Sequence, residues 1–116
     1  MTGSAYSLSS LYPAERFESE GETVLGGIKG GTKHHFCPSC MSWLFTVPEG
    51  FDAFVNVRSS MLDDARNHRP FVDMWLVEAL PPAATGAPQH FTTVPDEQEF
   101  GALMSAYAQW DGRVNA

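Results

Sequence analysis

Two cysteines three positions apart, Cys37 and Cys40 in Phe36-Cys37-Pro38-Ser39-Cys40, are the most chemically pointed feature of this 116-residue chain. Three uses fit the spacing. Two thiolates on a tight turn between strands can take two corners of a zinc tetrahedron and leave two ligands to be found elsewhere. A redox pair of the thioredoxin kind has the same spacing but usually starts a helix, whose dipole lowers the first thiol's pKa. The segment after Cys40 contains Trp43-Leu44-Phe45-Thr46-Val47, which has the composition of a strand. The third use is the plainest, two small cysteines with packing roles only.

Four histidines could add ligands. His34 and His35 immediately precede the cysteine pair, and His68 and His90 stand further along. A histidine beside a strand is more often a surface or satisfied core residue than a ligand. Asp63 and Asp64 could act as a carboxylate pair for acid–base work or for a hard metal, but in a Leu-Asp-Asp turn such residues more commonly cap the backbone. Trp43, Phe71 and Trp75 read as core aromatics.

The elements that must carry these residues are mostly strands. Residues 4–12 alternate well enough for a strand, which Pro13 ends, and 15–22 is an acidic loop. Residues 23–25 form a short strand candidate, followed by Gly26, Gly27, Gly30 and Gly31. No apolar helix follows these glycines, so a phosphate-binding loop is unsupported and a mobile turn between strands is expected. Residues 43–47 and 54–58 read as strands, 62–70 as a polar turn, and 71–80 as the longest apolar stretch, stopped by Pro81-Pro82. A Pro/Ala/Gly loop spans 81–88. Asp96 then offers an N-cap with Glu99 three positions later, the spacing of a capping box. Phe100, Leu103, Met104, Tyr107 and Ala108 recur at helical spacing, and Trp110 and Gly112 mark the end. Many short strands followed by one helix predict a mainly β domain, residues 1–116 as a single unit.

Composition narrows the partners. Fourteen acidic and seven basic residues give a formal charge of −7, and there is no Lys/Arg run to neutralise phosphates, so nucleic acid is not an expected partner. The same charge disfavours anionic membranes. No run approaches the length of a membrane span, and the N-terminal residues lack the pattern of a signal peptide, so a cytoplasmic location is expected.

Several elements, in order, resemble the glutathione-dependent formaldehyde-activating enzyme family. Cys37-Pro38-Ser39-Cys40 with Met41-Ser42-Trp43-Leu44-Phe45 resembles the family's second zinc knuckle, except that Met41 stands where the family usually has glycine. Met61-Leu62-Asp63-Asp64 and Arg69-Pro70 look like its Leu-Asp segment and Arg-Pro turn, and 71–80 like the long strand that follows. The opening Thr2-Gly3-Ser4-Ala5-Tyr6 looks like the run that directly follows the family's Cys-x-Cys-x-x-Cys motif.

The resemblance implies an Mss4-like fold of folded β-sheets with a zinc-knuckle turn and one C-terminal helix. It implies a zinc-dependent carbon–sulfur lyase that joins formaldehyde, or a related aldehyde, to glutathione. Partners would be glutathione or a glutathione adduct, with zinc as cofactor. Cys37 and Cys40 would be ligands of the structural zinc, and Thr2, Gly3, Ser4 and Tyr6 would lie near substrate. With no cysteine besides Cys37 and Cys40, the catalytic ligand set has no counterpart, and no catalytic residue is assigned. The chain corresponds to the C-terminal part of such a domain. Two expectations follow, a Met1 that is internal to a longer protein or a shortened relative with another role. A metal-poor binding or assembly module, a homodimer joined through raw sheet edges, and a thiol redox protein using Cys37 and Cys40 remain the alternatives.

Overall fold

The computed structural model describes residues 3–28, 30–81 and 83–113. The chain forms two compact units, Met1–Arg66 and Asn67–Ala116.

The first unit is a five-stranded antiparallel sheet. Its strands are β1 (Ser9–Pro13), β2 (Val24–Gly26), β3 (Lys33–Phe36), β4 (Trp43–Val47) and β5 (Phe54–Arg58), in the order β1-β5-β4-β3-β2. Side chains of directly paired residues share a face, so the register sorts them into rows. Ser10, Val57, Phe45, His35 and Leu25 form one row. Leu11, Asn56, Thr46, His34 and Gly26 form the row on the opposite face.

The first face builds the core. Phe45 is buried, with the Phe17 ring 4.8 Å away and the His35 ring stacked at 4.4 Å. Val55 is also buried, and the buried Ser59 hydroxyl lies 2.8 Å from that of Ser10, so its burial leaves no unmet hydroxyl. On the opposite face Phe36 is buried too, and a Cβ on Gly26 would come within 2.9 Å of its ring. Glycine at position 26 is what lets that ring lie against β2. The glycine-rich segment after it is the turn joining β2 to β3.

The β3–β4 ladder is irregular. His35 pairs with Phe45 and Phe36 with Trp43, so Leu44 is skipped. Such a bulge reverses the alternation beyond it. It carries Trp43 to the Thr46 side, where the indole N–H donates to Thr46 Oγ1 at 2.9 Å.

In the second unit, β6 (Val72–Asp73) pairs in parallel with β7 (Gln89–His90), and α1 spans Glu97–Ala108. The long strand expected over 71–80 is not formed. After Asp73 the chain passes through Met74 and a left-handed Trp75 (φ 59°) into a single 3₁₀ turn, Leu76–Glu78. The N–H groups of Trp75, Leu76 and Val77 bond to the carbonyls of Thr93, Phe91 and Thr92. With a two-residue partner strand, a longer ladder has nothing to pair with, and residues 74–80 are exposed despite their apolar composition.

The helix begins as its sequence dictates. The Asp96 carboxylate accepts the Glu99 N–H at 2.7 Å, and the Glu99 carboxylate accepts the Asp96 N–H at 3.1 Å. Of the expected packing residues, Leu103 is buried and Phe100 half-buried, whereas Met104 and Tyr107 are 45% and 53% exposed. Tyr107 and Trp110 both lie about the Phe71 ring, each with a centroid distance of 5.1 Å. The apolar face of α1 is therefore narrower than its spacing suggested, and the aromatic cluster at its end does the remaining packing. The fold is mainly strands with one C-terminal helix, as expected.

Candidate functional site

Cys37 and Cys40 sit on the turn between β3 and β4. The Cys37 carbonyl accepts the Met41 N–H at 2.8 Å, and the Cys37 N–H donates to the Ser42 carbonyl at 2.9 Å. Closing this turn requires Met41 to adopt φ 60°, the left-handed region where glycine alone is free of Cβ strain. The methionine thus holds a backbone shape more readily taken by glycine.

Cys37 is half-buried and Cys40 is exposed, and both are free thiols. The Cys40 sulfur lies 3.2 Å from the Ser42 hydroxyl. Hydrogen bonding from Ser42, with a smaller contribution from the Cys37 side chain, pulls the Cys40 pKa below the ordinary thiol value.

The two neighbouring histidines do not join these thiols. Strand alternation sends them to opposite faces. His35 Nδ1 lies 2.8 Å from Thr23 Oγ1, with its ring on Phe45. His34 Nδ1 lies 2.8 Å from Thr46 Oγ1, with its ring edge-on to Trp43 at 5.3 Å. Burial lowers the pKa of both, and His35 lowers that of His34 further. In the second unit, His90 is exposed, 3.6 Å from the Asp73 carboxylate, which also accepts the Thr85 hydroxyl at 2.7 Å. His68 is half-buried, and Asp63 and Asp64 are exposed.

Among the described residues no group of three His, Cys, Asp or Glu side chains could hold a metal ion. Two thiols on one turn supply half of a zinc tetrahedron, so this donor set does not complete the site the family implies.

Of the substrate residues suggested by the sequence, Thr2 lies outside the described residues. Gly3, with φ 64°, and Ser4 are exposed, and the Ser4 hydroxyl donates to the Tyr6 carbonyl at 2.6 Å. Tyr6 is 49% exposed.

Sequence reasoning missed the cluster on the His34 face. Thr46 is buried and receives the Trp43 N–H, which can only donate. The arrangement that satisfies both partners has the Thr46 hydroxyl donating to His34 Nδ1, leaving the ring proton on Nε2. Arg58 lies over the same indole, its Cζ 4.5 Å from the ring centroid. Its Nη1 is buried and has no hydrogen-bond partner among the described residues. Burial lowers the Arg58 pKa, yet a guanidinium stays charged. The signal in the sequence was the Arg at the end of an alternating strand, but only the bulge at Leu44 brings Trp43 beside it.

The chain is thus mainly β, with a pair of free cysteines on the hairpin turn between β3 and β4. Residues 1–78 match the model of the glutathione-dependent formaldehyde-activating enzyme family, and the chain belongs to that family. Comparison with curated proteins gave no match, and comparison with solved structures gave none. No helix among the described residues is long and apolar enough to cross a membrane.

Proposed function

We propose that this chain takes part in glutathione-linked formaldehyde chemistry in the cytoplasm, binding glutathione or its hydroxymethyl adduct. The single observation that carries the reading is the family match over residues 1–78, which includes the knuckle turn with both cysteines. The reaction class is that of a carbon–sulfur lyase. In the synthetic direction the glutathione sulfur bonds to the formaldehyde carbon, the carbon–oxygen double bond becomes single, and a proton passes from sulfur to oxygen. Gly3, Ser4 and Tyr6, with Thr2, are the proposed substrate contacts.

Cys37 and Cys40 are the proposed zinc donors, two where a structural zinc takes four. The chain by itself is therefore expected to bind glutathione without accelerating adduct formation. The test is to follow the adduct above its spontaneous rate, with this chain and with a form extended at its N-terminus by a Cys-x-Cys-x-x-Cys segment. Zinc binding and acceleration in the extended form alone support the reading. An extended form that is inert favours a binding or assembly module, for which β1 and β2, the edge strands of the sheet, offer pairing surfaces for a homodimer.

A thiol redox role is the second reading, favoured by the exposure and lowered pKa of Cys40 beside Cys37. Reversible disulfide formation between these residues against a glutathione buffer would support it.

A further inference from the structure

Building on the reading of Cys37 and Cys40 as zinc donors, we propose that two copies of this chain share one zinc ion, each copy supplying both cysteines from its β3–β4 turn.

The turn holds two sulfurs together and holds them outward. The Cys37 N–H and carbonyl bond across it to Ser42 and Met41, so the segment is fixed between two paired strands. The Cys37 side chain is near enough to hydrogen-bond the Cys40 thiol. No disulfide joins the two, and both thiols are free. Pro38, Ser39, Cys40 and Met41 are all exposed, so a metal reaches the pair from the tip of the hairpin and needs no cavity.

Zinc takes four donors, and two thiolates fill half of its shell. The nearest nitrogen donors in the chain are committed elsewhere, His34 to Thr46 and His35 to Thr23, on opposite faces of the sheet. Among the described residues no third His, Cys, Asp or Glu stands with the pair. A second copy supplies the shortfall in kind. Its turn brings the same two sulfurs at the same spacing, and a two-fold axis through the metal makes the halves equivalent, the symmetry most homodimers adopt. Four thiolates then form one of the common donor sets of structural zinc.

The surface around the turn permits the approach. Residues 34–48 contain no Asp, Glu, Lys or Arg, although the chain carries a formal charge of −7. Two copies meeting tip to tip therefore set no carboxylate of this hairpin against another. Met41, 57% exposed beside Cys40, gives the meeting surfaces an apolar side chain to bury. A joint made of two turns is far smaller than a stable protein interface, so the metal supplies the association and the dimer exists only with zinc bound.

The experiment uses the 116-residue chain, freed of metal with EDTA and kept reduced with a phosphine so that no disulfide can join two copies. Zinc is added stepwise while the mass is followed by sedimentation velocity, and cobalt(II) serves in parallel as the spectroscopic probe. The mass is expected to double, with saturation at one metal per two chains. Cobalt is expected to give the intense charge-transfer absorption and visible bands of a tetrahedral tetrathiolate. Cys40→Ser, at an exposed position, is expected to lose both the doubling and the bands while keeping the β-sheet circular dichroism. If that variant unfolds, the wild-type stoichiometry and cobalt spectrum decide alone. One metal held per monomer, and lost in Cys40→Ser, overturns the sharing and leaves the cysteines as zinc donors. No uptake of either metal overturns both the sharing and the donor reading. A dimer that survives both EDTA and Cys40→Ser is joined through other surfaces and overturns the proposal.

Discussion

Trp43 and Thr46 are joined by a 2.9 Å hydrogen bond from indole N–H to hydroxyl, although residues three apart in a regular strand point to opposite faces. The skipped residue Leu44 makes this possible, and it assembles Trp43, Thr46, His34 and Arg58 on one face of the sheet. The Thr46 hydroxyl is the hinge of the arrangement. Thr46→Val keeps the shape but leaves the indole N–H and His34 Nδ1 without their partner. Stability is expected to fall by about 1–3 kcal/mol, the usual penalty for stranding buried polar groups. Urea unfolding measures it, and an unchanged midpoint would show that the hydroxyl is not the common partner.

Met41 is held at φ 60° with its side chain exposed, so it bears backbone strain with little packing in return. Met41→Gly should stabilise the fold by about 1 kcal/mol. Met41→Val, with a branched Cβ, should destabilise it. Thermal unfolding of the two variants in opposite directions from wild type is the expected result.

His34 has its pKa lowered from 6.5, first by burial and then by His35. In the unfolded chain it takes up a proton near its ordinary value, whereas in the fold it does so only at lower pH. The unfolded state therefore binds more protons in that window. The stability contributed by keeping His34 neutral is present above about pH 6.5 and lost as pH falls through the folded value. His34→Gln should flatten the decline in stability between neutral pH and pH 5. A slope equal to wild type would assign the decline to other groups.

Cys40 should be alkylated faster than Cys37. It is exposed, and hydrogen bonding from Ser42 favours its thiolate, whereas Cys37 is half-buried. Mass spectrometry after brief iodoacetamide treatment resolves the two. Ser42→Ala should slow Cys40 and leave Cys37 nearly unchanged.

Much of the fold was legible because local rules and tertiary packing agree. Asp96 and Glu99 form the capping box their spacing announces, and residues 43–47 and 54–58 alternate and pair as strands. The cysteine pair lies on the turn where the strand pattern put it. Residues 71–80 misled because apolar composition does not supply a partner strand, and the chain turns at the left-handed Trp75 instead. Trp43 was read as a core aromatic, and it is half-buried in a polar cluster. A bulge depends on how two strands meet, so period-two alternation within one of them cannot reveal it. The left-handed Met41 was hidden for a similar reason, since methionine carries no sign of that conformation.

The most direct measurement is a titration of the uniformly ¹⁵N-labelled chain with reduced glutathione, read across the whole amide spectrum. Saturable shifts are predicted at the Cys37–Cys40 turn and among residues 3–6, with oxidised dithiothreitol and free cysteine giving none of comparable pattern. A spectrum that stays unchanged to saturating glutathione would contradict a glutathione-linked role for this chain.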